Sequence, residues 1–262
     1  MRPVITLTTD FGTADGYVGE MKGVLLGGGV DVNLVDITHE IPPQDVERAR
    51  LTVARVWRRF PAGTIHVVVV DPGVGSSRAA LAVMSHDRFL IGPDNGVLSP
   101  ALLLPGARAV RLPVPSHASA TFHGRDVFAP AAAAIARGES LESLGEAMTD
   151  PIIRRTPEAK RLQDGSIEGQ VIAVDRFGNA ITNLIAPRGG TILVAGRSIA
   201  IRKTYAEVST GEPVAVTGST GFIEVAIRDG SAAAVLELRR GSRIVLGQSR
   251  IDASTKKGTV DL

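Results

Sequence analysis

The sequence predicts an α/β protein: an N-terminal, mostly parallel α/β sandwich domain followed by a small all-β barrel domain. Three observations carry this. Apolar runs rich in Val and Ile alternate with helix-spaced segments up to about Met148, the rhythm of strand–helix–strand units around a parallel sheet. A polar stretch containing Pro151 and Pro157 then interrupts it. Beyond that stretch helical periodicity disappears, and short alternating runs bounded by Gly, Asp or Asn remain, as in a barrel or sandwich. The expected boundaries are 1–150 for the first domain, 151–165 for a linker, 166–248 for the barrel and 249–262 for a tail. A chain of 262 residues is long for one core and comfortable for two.

Pro3–Thr9 alternates and carries β-branched residues, so it reads as the first strand, broken at Asp10-Phe11-Gly12. Asp15 to Leu26 reads as a helix ended by three glycines. Val32–Ile37 is a second strand. Pro43 to Phe60 places Val46, Ala49, Val53 and Trp57 at helical spacing; Pro42-Pro43 would start that helix, where a missing N–H is harmless. Thr64–Val70 is an unbroken apolar run, the mark of a central strand buried on both faces. Ala79–Met84 and Arg88–Ile91 are two further strands. Val127 to Ala136 is an Ala-rich helix with Asp126 as its N-cap. In the second domain the expected strands are Gly169–Val174, Ala180–Leu184, Thr191–Val194, Pro213–Thr217, Phe222–Ala226 and Ala232–Leu236.

Composition excludes several function classes. With 29 basic and 27 acidic side chains the formal charge is +2, too small an excess for a phosphate-binding surface, so no nucleic-acid partner is expected. The cluster Arg55, Arg58 and Arg59 lies at a helix end and complements the helix dipole. The absence of cysteine removes disulfides, thiolate metal sites and a Cys nucleophile. Pro3–Thr9 is far too short for a signal peptide or membrane span, so a cytoplasmic protein with no membrane association is expected.

Polar motifs gather where strands end. Thr8-Thr9-Asp10-Phe11-Gly12 follows strand one, and ligands of open α/β sheets bind beyond such ends. A carboxylate there either orders its own turn or accepts two hydrogen bonds from vicinal hydroxyls such as those of a ribose. Asp71-Pro-Gly-Val-Gly-Ser-Ser-Arg78 follows the most apolar strand. Its glycines allow close backbone approach to a ligand, and Asp71 can meet Arg78 across the loop. It is not a Walker loop, because no Gly-Lys-Ser/Thr follows. His123 stands in Phe122-His-Gly-Arg-Asp126, on a loop before a helix. Asp10, Asp71 and His123 could also be metal ligands, although nothing in their spacing requires it. In the second domain, Asp175, Phe177 and Asn179 offer a carboxylate, an aromatic face and an amide within five residues, or else form an ordinary Asx-type turn. Gly218-Ser219-Thr220-Gly221-Phe222 is a second turn of this kind.

Taken in order, the segments TTDFG, VVDPGVG with its trailing Arg78, IGPDNGVL, TFHGRD and DRFGNAITN resemble the S-adenosylmethionine hydrolase (adenosine-forming) family, whose relatives include fluorinating and chlorinating enzymes. The resemblance runs from about Val4 to Leu246. It implies an α/β domain, a β-barrel and a homotrimer with active sites at subunit interfaces. It also implies a small-molecule substrate, S-adenosylmethionine, with no metal and no cofactor beyond it. Asp71, Arg78 and His123 would form the catalytic set. Asp10 would hold the ribose diol, Asp175 the methionine ammonium, Asn179 the adenine and Ser219 the methionine carboxylate. Tyr205 and Phe222 would be stacking faces for the adenine, and Phe177, read from its own turn, is a further candidate substrate contact. Thr220 stands where halogenating relatives carry an Arg beside that serine. Those relatives lack the Asp and His of the set and carry an extra loop, for which Met84–Ile91 is too short. Hydrolysis at the ribose C5′ is therefore the leading expectation, with His123 or Asp71 as base. Halide transfer, substrate binding without turnover and metal-dependent phosphohydrolysis are the competing ones.

Overall fold

The structure, a computed structural model, describes residues 2–185 and 189–247; the expected tail 249–262 lies outside the described residues. The chain forms two compact units that divide after Arg155.

The first unit holds strands β1 (Val4–Thr9), β2 (Asn33–Thr38), β3 (Ile65–Val69), β4 (Ala80–Ser85), β5 (Arg88–Pro93), β6 (Arg108–Leu112) and β7 (Glu146–Ala147). They form one sheet in the order β2-β1-β3-β5-β4-β6-β7. The pairs β1–β2, β1–β3 and β3–β5 are parallel, and an antiparallel edge of β4, β6 and β7 completes the sheet. β3 is buried at every position, which its unbroken apolar run foretold. Helices α1 (Tyr17–Leu26) and α4 (Ala129–Ala136) cover one face, packing on Ile5, Leu7, Ile65, Val67 and Val69. Helices α2 (Val46–Val56) and α3 (Ser99–Leu102) cover the other, against Val68, Leu81, Val83 and Leu90.

Three local expectations change. The second helix starts at Val46, not Pro43, and gives way to a 3-10 turn at Trp57–Arg59. Pro42-Pro43 belong instead to a turn closed by Asp45 N–H donating to the Pro42 carbonyl (3.0 Å), and the Asp45 carboxylate caps the helix by accepting from Arg48 N–H at 3.0 Å. Asp126 is not an N-cap. It lies within a wide π-helical turn, Gly124–Phe128, closed by Ala129 N–H on the Gly124 carbonyl. Pro130 lacks the N–H that would bond the Asp126 carbonyl, so the chain widens there before α4 runs on.

The second unit is a closed barrel. Strands β9 (Ile167–Val174), β10 (Ala180–Ile185), β11 (Thr191–Val194), β12 (Arg197–Arg202), β13 (Pro213–Thr217), β14 (Phe222–Ile227) and β15 (Arg243–Leu246) pair around a ring, closed by β9–β10, with β8 (Lys160–Arg161) added beside β9. Its interior is Val171, Leu184, Ile192, Ile199, Ala215, Ile223, Val225 and Ile244. Ala232–Leu236, expected as a strand, is a short helix α5 (Ala232–Val235) capped by Ser231, whose side chain accepts from Ala234 N–H. Three successive alanines favour that outcome. Strands β6, β12 and β15 were not foreseen; each is short and has Arg at one or both ends.

Candidate active site

In the first unit the chain runs from β1 to β2 on one side and returns past it to β3 on the other, so β1 and β3 flank a topological switch point. Their carboxyl ends align, Thr9 opposite Val69. Asp10 leaves β1 and Asp71 follows β3 by two residues, on neighbouring strand ends about 4.8 Å apart.

Asp71, Arg78 and His123 are in direct contact. Arg78 Nε donates to Asp71 Oδ1 at 2.9 Å, and its Nη2 bonds Asp71 Oδ2 and reaches His123 Nδ1 at 2.8 Å. The Phe128 ring lies 5.4 Å from the guanidinium carbon. All three side chains are nearly buried. The loop is shaped for this meeting. Gly75 has φ +76, and a Cβ there would overlap the Ala120 carbonyl oxygen, so glycine lets the Asp71–Arg78 loop close on the segment that carries His123. The wide turn at Gly124–Phe128 begins immediately after His123.

The electrostatics fix proton positions. An Arg nitrogen can only donate, so His123 Nδ1 accepts, and the neutral ring carries its proton on Nε2. Burial and the neighbouring Arg78 charge hold the His123 pKa below 6.5, against an upward pull from Asp71 and Asp126. The imidazole is therefore neutral at pH 7. Arg78 Nη1 is buried and has no partner within the protein. Two N–H donors of a fixed guanidinium thus remain available to a ligand.

Asp10 accepts from Gln44 N–H at 2.7 Å through Oδ2. Gln44 sits at φ 65, in the Pro42–Asp45 turn that displaced the expected helix start. Phe11, Tyr17 and Phe122 form a cluster with ring centroids 5.4–5.8 Å apart. Tyr17 escaped the sequence reading, since one aromatic at a helix start carries no signal until the chain folds.

In the second unit Asp175 does build an Asx turn: Oδ1 accepts from Phe177 and Asn179 N–H at 2.9 Å, and Oδ2 from the Asn179 side-chain amide at 3.0 Å. Phe177 projects from it, 76% exposed. Ser219 is exposed on the turn before β14, and Phe222 is half-buried at the start of that strand. The Tyr205 hydroxyl donates to Glu224 Oε2 at 3.0 Å. Glu224 was also missed, because it occupies one position of an otherwise apolar strand. Among the described residues no three His, Asp or Glu side chains gather as a metal-binding group, so Asp10, Asp71 and His123 do not form the ligand set weighed above.

An open α/β sheet with a buried Asp–Arg–His set at its switch point, followed by a closed barrel, defines the class: a two-unit α/β protein with a fixed cation at the sheet's ligand-binding edge. Models of the SAM hydroxide adenosyltransferase N-terminal and C-terminal domains (SAM being S-adenosylmethionine) match residues 5–145 and 169–245. The chain is similar to an (R)-S-adenosyl-L-methionine hydrolase of Thermus thermophilus, 43% identical over 94% of this chain and 100% of the relative. One from Salinispora tropica is 38% identical over 92% and 97%. A fluorinase of Actinopolyspora mzabensis is 28% identical over 95% and 98%. A solved structure of a conserved protein from Thermotoga maritima superposes with a TM-score of 0.84 at 31% identity, covering 93% of this chain and all of that one. The chain belongs to the SAM hydroxide adenosyltransferase family.

Proposed function

We propose that this protein hydrolyses S-adenosyl-L-methionine by attack of water or hydroxide on the ribose C5′, giving adenosine and L-methionine. The relatives named above as (R)-S-adenosyl-L-methionine hydrolases support the (R) form as the preferred substrate. The observation that carries the reading is the Arg78 guanidinium, clamped by Asp71 and His123 and left with a buried, unpartnered Nη1.

The chemistry matches what such a group can do. The substrate's sulfur is a sulfonium, so methionine departs as a neutral thioether and no general acid is required. The missing ingredient is a nucleophile, since water at pH 7 is a poor one. Arg78 Nη1 binds that water as a donor and favours its hydroxide form by charge. Proton uptake falls to Asp71, because the His123 Nδ1 lone pair is engaged by Arg78 and its Nε2 is protonated. A positioned base contributes about 10²–10⁴-fold, and alignment of water with the C5′–S bond supplies up to roughly 7–11 kcal/mol in ideal cases.

Asp10, with Oδ2 held by Gln44, presents its other oxygen to the ribose diol. Asp175 takes the methionine ammonium, Asn179 the adenine edge and Ser219 the carboxylate; Phe177, Tyr205 and Phe222 offer aromatic contacts. No metal or cofactor takes part. The working form is a cytoplasmic homotrimer with active sites at subunit interfaces, so sedimentation should report three times the chain mass. Halide transfer is the weaker reading: the fluorinase likeness is lower than that to the hydrolases, and β4 and β5 join in a two-residue turn at His86-Asp87 with no inserted loop.

Turnover in H₂¹⁸O tests the proposal. The label should appear on the adenosine 5′-hydroxyl, without change on adding EDTA or chloride. Formation of 5′-chloro-5′-deoxyadenosine, or no adenosine at all, would overturn it.

A further inference from the structure

Glu224 is out of place in β14. Ile223 and Val225, its neighbours, point into the barrel and are fully buried. Glu224 points to the outer side, with Ala226, where Val214 and Val216 of β13 and the partly buried Val208 form a small apolar cluster. That face is covered, and Glu224 is only 8% exposed. A carboxylate taken from water at this depth is costly unless its partners do work there, and an aliphatic residue would fit the cluster better.

Two contacts say what it does. Oε2 accepts from the Tyr205 hydroxyl at 3.0 Å. Oε1 lies against Gly218, so close that a Cβ on that residue would overlap the carboxylate. Gly218 opens the turn carrying Ser219, and it is pinned by its N–H on the Phe222 carbonyl at 2.8 Å. One carboxylate therefore braces two elements to which the proposed function gives substrate contacts, the Tyr205 ring and the Ser219 turn. A capping box at Thr204 and Glu207 holds the Tyr205 segment from its other end.

We propose that Glu224 is a positioning residue for substrate binding, which sets the Tyr205 ring and the Ser219 turn in fixed relation through its two oxygens. The inference rests on the proposed hydrolysis of S-adenosylmethionine. Glu224 acts before the chemical step, so its effect belongs to KM. Tyr205 reports on it directly: burial, Glu224 and Asp175 together push its phenol up to about 12. Tyr17 is the only other tyrosine in the chain, so phenolate absorbance resolves two groups.

The test uses the full chain and the variants Glu224→Gln, Gly218→Ala, Tyr205→Phe and the double variant Glu224→Gln/Tyr205→Phe. Adenosine release by the wild type is measured first; if there is none, the hydrolase reading fails, and the tyrosine titration still judges the Glu224–Tyr205 contact. Glu224→Gln keeps size and hydrogen bonding but removes charge, so it should titrate Tyr205 at lower pH and raise KM about tenfold with kcat within about twofold. Gly218→Ala should reproduce both effects by pushing the carboxylate aside. The KM effects of Glu224→Gln and Tyr205→Phe should be non-additive, as for groups acting through one contact. An unmoved Tyr205 titration, a wild-type KM in Glu224→Gln, or fully additive effects would each overturn the proposal.

Discussion

At the scale of single residues, the site depends on a cation fixed from three sides. Arg78 meets Asp71 with two nitrogens and His123 with one of them, leaving Nη1 free. Lysine's single ammonium has three donors in place of a planar fork, so it cannot keep the paired contact with Asp71 and the contact with His123 and still offer donors to water. Arg78→Lys should therefore lower kcat by at least about 10²-fold while KM changes by less than about threefold, read from steady-state adenosine release. Equal losses in binding and turnover would remove Arg78 from the chemical step. His123 adds a pH signature. It must be neutral to accept from Arg78, and burial and Arg78 itself keep its pKa below 6.5. Protonation would set two cations face to face. The profile of kcat should thus stay flat down to pH 6.5 and fall below it, and His123→Asn, whose side-chain oxygen still accepts, should lose that acid limb. A limb centred above pH 6.5 would contradict the buried, Arg-facing imidazole. Asp71 and Arg78 could be singled out in the sequence because a glycine-rich turn follows the most apolar strand, whereas His123 joined them only through the family resemblance. The proton on Nε2 and the idle Nη1 were not legible there, since both follow from contacts between segments 45 residues apart.

At the scale of elements, close approach does most of the positioning. Gly75 and Gly106 share φ +76, but only Gly75 has a backbone carbonyl where a Cβ would lie; nothing surrounds Gly106 within 4 Å. This separates backbone strain from lost docking. Gly106→Ala should cost about 1 kcal/mol of stability and leave kcat intact. Gly75→Ala should cost more stability and also drop kcat by over about tenfold, because the Asp71–Arg78 loop must retreat from Ala120. Equal kcat values for the two variants would show that the loop's approach does not set the triad. The same logic explains what the sequence hid. The fully buried β3 and the alternating β11 were recognisable. The start of α2 was misplaced because Pro42-Pro43 suit a helix and a turn equally, and the decision lay with Asp45 as cap and Gln44 in a left-handed turn. α5 was misread as a strand because five apolar residues carry no usable period.

At the scale of the whole molecule, the two-part plan was readable from the change of rhythm near Met148, because a helix-covered sheet and a closed barrel demand different spacings. What the sequence could not display is where the first unit stores acid sensitivity. His66 lies in β3, 2% exposed, with Nδ1 2.7 Å from the Thr6 hydroxyl and the Phe60 ring edge-on at 5.4 Å. Its Nε2 is buried and makes no hydrogen bond of normal geometry. Burial pushes its pKa down to about 4, with the Arg88 charge adding to the fall and the Trp57 backbone opposing it. The unfolded chain takes up this proton near pH ~6.5. Between those values the unfolded state binds more protons, so acidification favours unfolding, and the full gap is worth about 3 kcal/mol. Above pH 6.5 the term is constant, and below about pH 4 the loss is complete. Carboxylates with lowered pKa, such as Asp36 and Asp126, also lose stabilisation in acid, so the wild type alone cannot isolate the histidine. Comparison with His66→Gln does, because glutamine does not titrate and can still bond Thr6. Denaturant unfolding of both proteins at pH 7.5 and pH 4.5 should show the wild type losing about 2–3 kcal/mol more than the variant. Equal losses in the two would mean that His66 is hydrated in the folded state and that the core between β3 and the Trp57 turn is open to water.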